Sequence, residues 1–278
     1  MFSILIPTWN NLPFLKLCVE SIRQNSVFEH QILVHVNDGS DGSLQWVKEH
    51  LPQYSHSDTN IGICKAVNAL TPYIKNEYVV FMNDDMYALP GWDKALADEI
   101  AKLNTDCFML SSTMIEPYNT KNACVIVADY GRDASTFDKQ KLLGEFKILP
   151  KNDWSGSTWP PNVVHKKWWL AVGGYSDEFS PGMSSDDDFA MKMWQAGCRV
   201  YRGVAASRVY HFISKSTGRI TRNDGRRQFM QKWGIKQSAF HKYYIRRGGP
   251  YTGKLEGPAA WRNLLSKAEV KLLLLLTK

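Results

Sequence analysis

The sequence predicts an α/β fold with a central mixed, mainly parallel sheet flanked by helices, followed by a basic helical C-terminal extension. Strand-like and helix-like segments alternate over the first 85 residues, which is typical of βαβ units. Each of the three apolar strands in this region runs into a polar loop. The 278 residues are 44% hydrophobic and 22% charged, which excludes a disordered or collagen-like chain.

The first two strands are each followed by a helical pattern. Residues 2–7 form an apolar run ending in proline, and residues 12–24 place apolar side chains at helical spacing. Residues 31–36 are mainly apolar, with two valines, and run into the turn-rich loop 37–43. The next helix is predicted over residues 44–50.

Further along the chain, residues 60–70 predict a third helix and residues 78–82 a third buried strand. The clearest later strands are 108–112 and 123–128. In open α/β sheets ligands lie beyond the carboxyl ends of the strands. We therefore expect the loops after the first three strands to converge on one crevice.

Charge is distributed unevenly along the chain. Residues 1–191 contain 15 basic and 24 acidic residues, a net charge of −9, whereas residues 192–278 contain 19 and 3, a net charge of +16. Such a basic segment is typical of proteins that contact phosphate in nucleic acid, anionic lipid or a diphosphate substrate. A solvated basic face is the alternative.

Cysteine usage and the N-terminal segment predict the compartment. The five cysteines form no CxxC pair, which predicts reduced thiols. The N-terminal segment lacks the basic region and cleavage site of a secretion signal, and the apolar run at 272–276 is far shorter than the roughly 20 residues that cross a bilayer. We expect a cytoplasmic protein without a membrane span.

An acidic pair, Asp84 and Asp85, follows the third strand. Carboxylates at this position can hold a hard divalent cation against a diphosphate, although acidic pairs in loops are often only solvated turn residues. The chain contains neither the GxxxxGK[ST] phosphate loop nor the GxGxxG dinucleotide fingerprint. A nucleotide bound here therefore requires acidic loops and a metal.

From residue 3 to about residue 211 the chain resembles the family 2 glycosyltransferases, because five motifs occur in that family's order. They are Ile-Pro-Thr-Trp-Asn at 6–10, Val-Asn-Asp-Gly-Ser at 36–40, Asn-Ile-Gly at 60–62, Asn-Asp-Asp at 83–85 with Pro-Gly-Trp at 90–92, and Gly-Gly-Tyr-Ser-Asp-Glu-Phe at 173–179 with Asp-Asp-Asp-Phe at 186–189. The resemblance implies a GT-A fold and an inverting, metal-assisted transfer of a sugar. The donor is a nucleoside diphosphate sugar, UDP- or dTDP-linked, and the acceptor a hydroxyl of a glycan or lipid-linked glycan.

The resemblance also implies a division of the chain. Residues 1–213 correspond to the catalytic domain, with a nucleotide-binding half at 1–100 and an acceptor-side half at 101–213. Residues 214–278 form the basic, largely helical extension.

Donor-side roles follow from the matched motifs. Asp38 matches the residue that contacts the nucleobase and can accept a hydrogen bond from a uracil or thymine imide, although an Asx-turn role suits it equally. Asp84 resembles the ribose-side carboxylate, and Asp85 with His211 resembles the ligands of Mn²⁺ or Mg²⁺, imidazole favouring Mn²⁺. The nucleotide-binding residues implied by the family are Pro7, Thr8, Asn10, Asp38, Asn60, Gly62, Asn68 and Asp84.

The candidate general base is Asp186, which deprotonates the acceptor hydroxyl. The preceding residue is Ser185 where the family has glutamate, so Asp187 and Asp188 remain alternatives. Adjacent carboxylates raise one another's pKa, which suits a base near neutrality. Alternatively, the acidic run only complements the N-terminal dipole of a helix.

Cationic and aromatic side chains complete the predicted site. Lys215, Arg219 and Arg222 are candidates to hold the diphosphate, with a solvated loop as the alternative. Trp154 and Trp159 are predicted loop residues that can stack on sugar faces, whereas core packing is the other interpretation. His211 is predicted to follow an edge strand.

The segment 258–278 combines Lys and Arg with an apolar face. Interfacial helices show this pattern, and so do helices that pack on a protein body. The first interpretation places the protein peripherally at the inner face of the cell membrane, where anionic lipid attracts basic side chains.

Two other functions are alternatives to sugar transfer. A nucleic-acid binding protein leaves the acidic crevice unexplained, because carboxylates repel phosphate, so we expect no nucleic-acid partner. A non-catalytic protein that binds nucleotide sugars or anionic polymers on the same scaffold is the remaining alternative.

Overall fold

The computed structural model describes residues 1–157, 159–214 and 218–276. Its strands are β1 (Phe2–Trp9), β2 (Gln31–Asn37), β3 (Tyr54–Ser57), β4 (Tyr78–Phe81), β5 (Met86–Ala88), β6 (Phe108–Glu116), β7 (Ile126–Val127), β8 (Trp154–Ser155), β9 (Asn162–His165) and β10 (Val200–His211). Its helices are α1 (Leu12–Asn25), α2 (Ser43–His50), α3 (Ile63–Asn68), α4 (Trp92–Lys102), α5 (Lys139–Glu145), α6 (Lys166–Ala171), α7 (Ser185–Gln195), α8 (Gly225–Trp233), α9 (Gln237–Ala239) and α10 (Ala260–Leu276). Short 3-10 turns lie at Thr71–Tyr73 and Asp177–Phe179, and a π turn lies at Phe240–Tyr244.

All of these strands join one mixed sheet in which the main order is β3-β2-β1-β4-β9-β6-β10-β5. The pairs β1–β2, β2–β3, β1–β4 and β6–β10 are parallel. Strand β9 runs antiparallel between β4 and β6, and β5 runs antiparallel to β10. The predicted α/β class with a mixed, mainly parallel sheet is confirmed.

The core consists of two layers, one on each face of the sheet, because successive side chains of a strand point to opposite faces. In β1, Ile4 and Ile6 pack with α1 and α4, whereas Leu5 packs with α3 and α7. A continuous apolar run such as β1 is thus buried on both sides, as expected for strands covered by helices.

The predicted elements occur with small shifts at their ends. The predicted strand 123–128 shrinks to the two residues of β7. The expectation of an edge strand before His211 is wrong, because β10 lies between β6 and β5. His211 is held from both sides, and it is only 7% exposed.

The segment after residue 217 packs against the body. Phe229 and Phe240 enter the same core layer as α7. The amide of Leu255 donates to the carbonyl of Arg199 at the start of β10. Across the ranges described here, no helix has the length and apolarity needed to cross a bilayer.

Candidate active site

A cavity of about 330 Å³ lies at the carboxyl ends of β1, β2 and β4. The loops after these strands converge there, as the sequence predicted, and α3, α7 and the end of β10 complete the wall. The predicted site residues that line it are Pro7, Thr8, Asn60, Gly62, Asp84, Asp85, Trp159, Asp186 and His211.

Asp84 is anchored by the end of β1. The hydroxyl of Thr8 donates to Asp84 Oδ2 at 2.6 Å, and both side chains are buried. Burial and the neighbouring Asp85 raise the pKa of Asp84 to about 7. A carboxylate held in this way presents its remaining acceptor capacity to the cavity.

Asp85 and His211 lie side by side because β5 and β10 pair in a register that sets His211 opposite Met86. Asp85 Oδ2 is 3.6 Å from His211 Nε2 and accepts the amide of Ser214 at 2.7 Å. The other ring nitrogen, Nδ1, contacts Glu116 Oε1 at 3.0 Å. Burial opposes protonation of His211, but the two carboxylates raise its pKa to about 9.

This arrangement fits a divalent cation. A histidine whose second nitrogen is held by a carboxylate is typical of metal ligands, because the carboxylate fixes the ring orientation. The Oδ1 atom of Asn83 beside Asp84 is buried without a hydrogen-bond partner. No three His, Cys, Asp or Glu side chains of the described ranges form a complete metal cage. Mg²⁺ sites of this type take remaining ligands from substrate phosphates.

Neither Asp38, at the turn after β2, nor Asn10, directly after β1, is part of the cavity lining. Asn10 Nδ2 donates to Asp38 Oδ2 at 2.8 Å, and the amide of Ser40 donates to Asp38 Oδ1 at 3.2 Å. Hydrogen bonds from Ser40 and Asn10 lower the pKa of Asp38. The Asx-turn interpretation of Asp38 is thus confirmed, and its contact with a nucleobase stays a prediction.

The structure does not bring Asn68 to the cavity. Its Nδ2 donates to the carbonyl of Tyr175 at 2.7 Å, and its Oδ1 accepts the amide of Tyr175 at 2.9 Å. The prediction that Asn68 contacts the nucleotide is corrected, because both ends of the amide join α3 to the loop before α7.

The three adjacent aspartates at the start of α7 have different surroundings. Asp187 contacts His241 Nε2 at 2.6 Å, and Asp188 accepts Trp233 Nε1 at 2.9 Å and pairs with Lys232 at 3.0 Å. Asp186 lines the cavity, whereas Asp187 and Asp188 do not. The alternatives Asp187 and Asp188 are corrected, because each carboxylate points into contacts with the C-terminal segment.

Asp186 is held by Tyr175, whose hydroxyl donates to Asp186 Oδ1 at 2.9 Å. Burial raises the pKa of Asp186 to about 7; the Tyr175 hydrogen bond opposes this shift and the charge of Asp187 adds to it. Adjacent carboxylates were expected to raise one another's pKa, but the pKa of Asp187 is lowered. Burial raises it, and the contacts and charges of His241, Arg247 and Gln237 together lower it by more. Nor does Ser185 cap the helix, since its hydroxyl donates to Gly182.

Of the two predicted diphosphate cations within the described residues, Arg219 contacts Trp9, which lines the cavity. Arg219 donates to the carbonyl of Trp9 at 2.8 Å and lies 4.3 Å above the Trp9 ring. Arg222 is exposed and does not line the cavity. Lys215 lies outside the described residues.

The two tryptophans separate into a core residue and a cavity residue. Trp154 is 2% exposed, and its Nε1 donates to the hydroxyl of Thr113 at 3.0 Å. Its predicted role in sugar stacking is therefore wrong: it belongs to β8 and its indole packs over Gly203. Trp159 lines the cavity, and its Nε1 donates to Glu116 at 3.2 Å.

Sequence reasoning missed Glu116, Tyr175 and His241. Glu116 is fully buried at the carboxyl end of β6 and contacts both Trp159 and His211. An ionisable residue just after a predicted strand, directly before Pro117, was an available signal. Tyr175 lies within the motif at 173–179, but its contact with Asp186, like that of His241 with Asp187, is made only by the fold.

Comparisons with known proteins identify the family and the fold. The family model "Glycosyl transferase family 2" matches residues 3–145, just over half of the chain. Chondroitin synthase from Escherichia coli is 22% identical over 243 residues, covering 75% of this chain and 34% of that protein. The chain thus spans about a third of the length of this curated relative.

Solved structures share the fold. S. aureus TarS 1–349 in complex with UDP-GlcNAc has a TM-score of 0.59 at 16% identity, covering 84% of this chain and 65% of TarS 1–349. GalNAc-T7 with UDP, GalNAc and Mn²⁺ has a TM-score of 0.59 at 14% identity, covering 86% of this chain and 49% of that one. The expected GT-A fold is confirmed, and the chain belongs to glycosyl transferase family 2.

Proposed function

We propose that this protein transfers a sugar from a nucleoside diphosphate sugar to a hydroxyl of a glycan or lipid-linked glycan, with inversion and with Asp186 as the base. One observation carries the proposal. Asp186 lines the same cavity as the donor-side residues Asp84, Asp85 and His211. A candidate base and a candidate leaving-group site thus face one space, as a single displacement requires.

The acceptor step follows from the surroundings of Asp186. Oδ1 accepts the Tyr175 hydroxyl, which leaves Oδ2 for the acceptor. The acceptor O–H proton moves to Asp186, the acceptor oxygen bonds to the anomeric carbon, and the bond from that carbon to the diphosphate oxygen breaks. The electron pair of this bond leaves with the nucleoside diphosphate. A pKa of about 7 suits a base that is ionised at neutral pH and still binds a proton.

A second group of residues would stabilise the leaving diphosphate. Asp85 and His211 are the residues that would hold Mn²⁺ or Mg²⁺, which neutralises charge on the departing diphosphate. Glu116 orients His211. Arg219, stacked on Trp9, supplies a fixed positive charge at the cavity mouth.

A uridine donor is favoured over other nucleotides. The related TarS structure holds UDP-GlcNAc and the related GalNAc-T7 structure holds UDP with Mn²⁺. The Asp38 carboxylate, directly after the cavity-lining residue Asn37, accepts hydrogen bonds, which complements an imide N–H. We propose that residues 1–100 form the nucleotide-binding half and residues 101–213 the acceptor-side half, with His211 of the second half and Arg219 of the extension 214–278 completing the donor site.

The first experiment is a thermal-shift screen of nucleoside diphosphates with and without Mn²⁺. A ligand that binds only the folded state raises the free energy of unfolding by mass action, by about 2.7 kcal/mol at a hundredfold excess over Kd, and so raises the melting temperature. We expect UDP to raise Tm only with Mn²⁺, and the Asp85→Asn variant to lose the effect. Asp58→Asn is a matched control because the Asp58 side chain is 99% exposed.

Turnover then separates catalysis from binding. Asp186→Asn should keep the UDP shift and lose UDP release from the donor in the presence of acceptor, by about 10²- to 10⁴-fold. If Asp186→Asn turned over normally, the assignment of the base would be wrong. A UDP shift without turnover of any donor would favour the non-catalytic protein that binds nucleotide sugars, and no shift with any nucleotide would leave a binding role for the basic C-terminal segment.

A further inference from the structure

Helix α10 packs on the body along one side only. Val270 on that side is 2% exposed. Asn263 accepts the hydroxyl of Tyr244 at 3.0 Å, and Glu269 pairs with Lys236 at 2.6 Å. These contacts fix the rotation of the helix, so the direction of its other faces is determined.

The opposite side of α10 is apolar and faces solvent. At 100° per residue, its large apolar side chains fall within an arc of about 120° centred opposite Val270. The exposed fractions are 58% for Trp261, 68% for Leu264, 62% for Leu265, 59% for Leu272, 60% for Leu275 and 73% for Leu276. We call these six residues the outer face of α10. A contiguous exposed apolar surface of this kind marks an interaction site.

Basic side chains border the outer face on both sides. Arg262 lies at one border, and its guanidinium is 5.0 Å from the ring of Trp261. Lys267 and Lys271 lie at the other border and are exposed. Glu269, the one acidic residue in the helix sequence, is already paired with Lys236. The border therefore carries uncompensated positive charge.

The positive border distinguishes between two candidates for the surface that covers the outer face, a second copy of the chain and an anionic bilayer. A second copy of the chain would place Arg262, Lys267 and Lys271 against a border of the same sign. An anionic bilayer accepts the apolar face at the level of the headgroups and attracts the basic border. We propose that the outer face of α10 docks the protein onto an anionic lipid surface, with the helix lying in the plane of the membrane.

Segment 258–278 was interpreted from the sequence either as an interfacial helix or as a helix that packs on the protein body. In α10 one side packs on the body, and the outer face is the side proposed to lie at the membrane. The inference does not depend on the transfer reaction. Vesicle binding needs no nucleotide, so its failure and the failure of the proposed activity are separate results.

Vesicle co-sedimentation of the full chain tests the proposal. We expect binding to vesicles of phosphatidylcholine with phosphatidylglycerol, little binding to phosphatidylcholine alone, and release at high salt. The variant Leu264→Ser/Leu272→Ser/Leu275→Ser should lose most of the binding. The variant Arg262→Gln/Lys267→Gln/Lys271→Gln should bind about fivefold more weakly for each charge removed.

A matched control replaces apolar side chains that are exposed elsewhere. Ile148→Ser/Leu170→Ser removes side chains that are 78% and 52% exposed and should bind vesicles like the native protein. All of these positions are exposed, so unchanged Tm values confirm folding. Equal binding by native protein and the leucine variant would overturn the proposal. So would absent vesicle binding together with a dimer, seen by sedimentation velocity, that the leucine variant dissociates.

Discussion

At the scale of single residues, the pKa of Asp186 sets the pH dependence of the proposed reaction. The carboxylate form accepts the proton, so kcat/KM should rise with pH through about 7 and then level off. Tyr175→Phe removes the hydrogen bond that favours the ionised form, so the midpoint should move upward by about one unit. The measurement is the pH profile of UDP release by both proteins. A midpoint that moved downward, or did not move, would contradict the role given to Tyr175.

Glu116 acts through His211. Glu116→Gln keeps the shape of the side chain but weakens its hold on Nδ1, so the Mn²⁺ concentration for half-maximal thermal shift with UDP should rise about 10- to 100-fold. Glu145→Gln is the control, since Glu145 contacts Tyr130 instead. Equal Mn²⁺ dependence in Glu116→Gln and the native protein would show that the contact does not support metal binding.

At the scale of elements, β10 depends on one glycine. A Cβ at Gly203 would overlap the indole of Trp154, which packs flat on the strand. Gly203→Ala should therefore lower the free energy of unfolding by about 1–3 kcal/mol, through displacement of the ring. Urea unfolding measures the change.

The matched control is Gly144→Ala in α5, where an added Cβ meets nothing within 4 Å. Alanine favours a helix over glycine, so this variant should be neutral or slightly more stable. If both variants had the same stability, the close packing of Trp154 on β10 would not be energetically important.

The parallel strands were predictable because their signals are local. The apolar runs of β1, β2 and β4 and the polar residues that end them lie next to each other in the sequence, and they placed Thr8 and Asp84 at one crevice. The contact between Glu116 and His211 joins residues 95 positions apart. No local pattern encodes such a pair. Trp154 was misassigned because a two-residue strand carries no periodicity, so the tryptophan resembled an exposed loop residue.

At the scale of the whole molecule, the C-terminal extension is part of the site's support. His241 in the extension contacts Asp187 next to the candidate base. His241→Ala should lower the free energy of unfolding by about 1–3 kcal/mol, because the buried carboxylate of Asp187 loses the contact with His241. Loss of His241, which holds the pKa of Asp187 down, should also raise the pKa of Asp187 and so change the pH profile that its charge imposes on Asp186.

The control is His50→Ala, since that histidine is exposed at the end of α2 and contacts the carbonyl of Trp46. Unfolding curves and pH profiles of both variants provide the test. An effect on stability without a change in the pH profile would limit His241 to a structural role.

The place of β10 in the sheet has a consequence for synthesis on the ribosome. This strand is the last of the ten strands to be made, yet it lies between β6 and β5, which are complete 84 and 112 residues earlier in the chain. Until β10 emerges, β5 lacks its partner, β6 has an unpaired edge, and His211 is absent from its place beside Asp85. Unpaired edges promote association between chains. A nascent chain stalled before residue 200 should therefore lack the proposed metal site and depend on chaperones, and it becomes competent only when the final strand inserts.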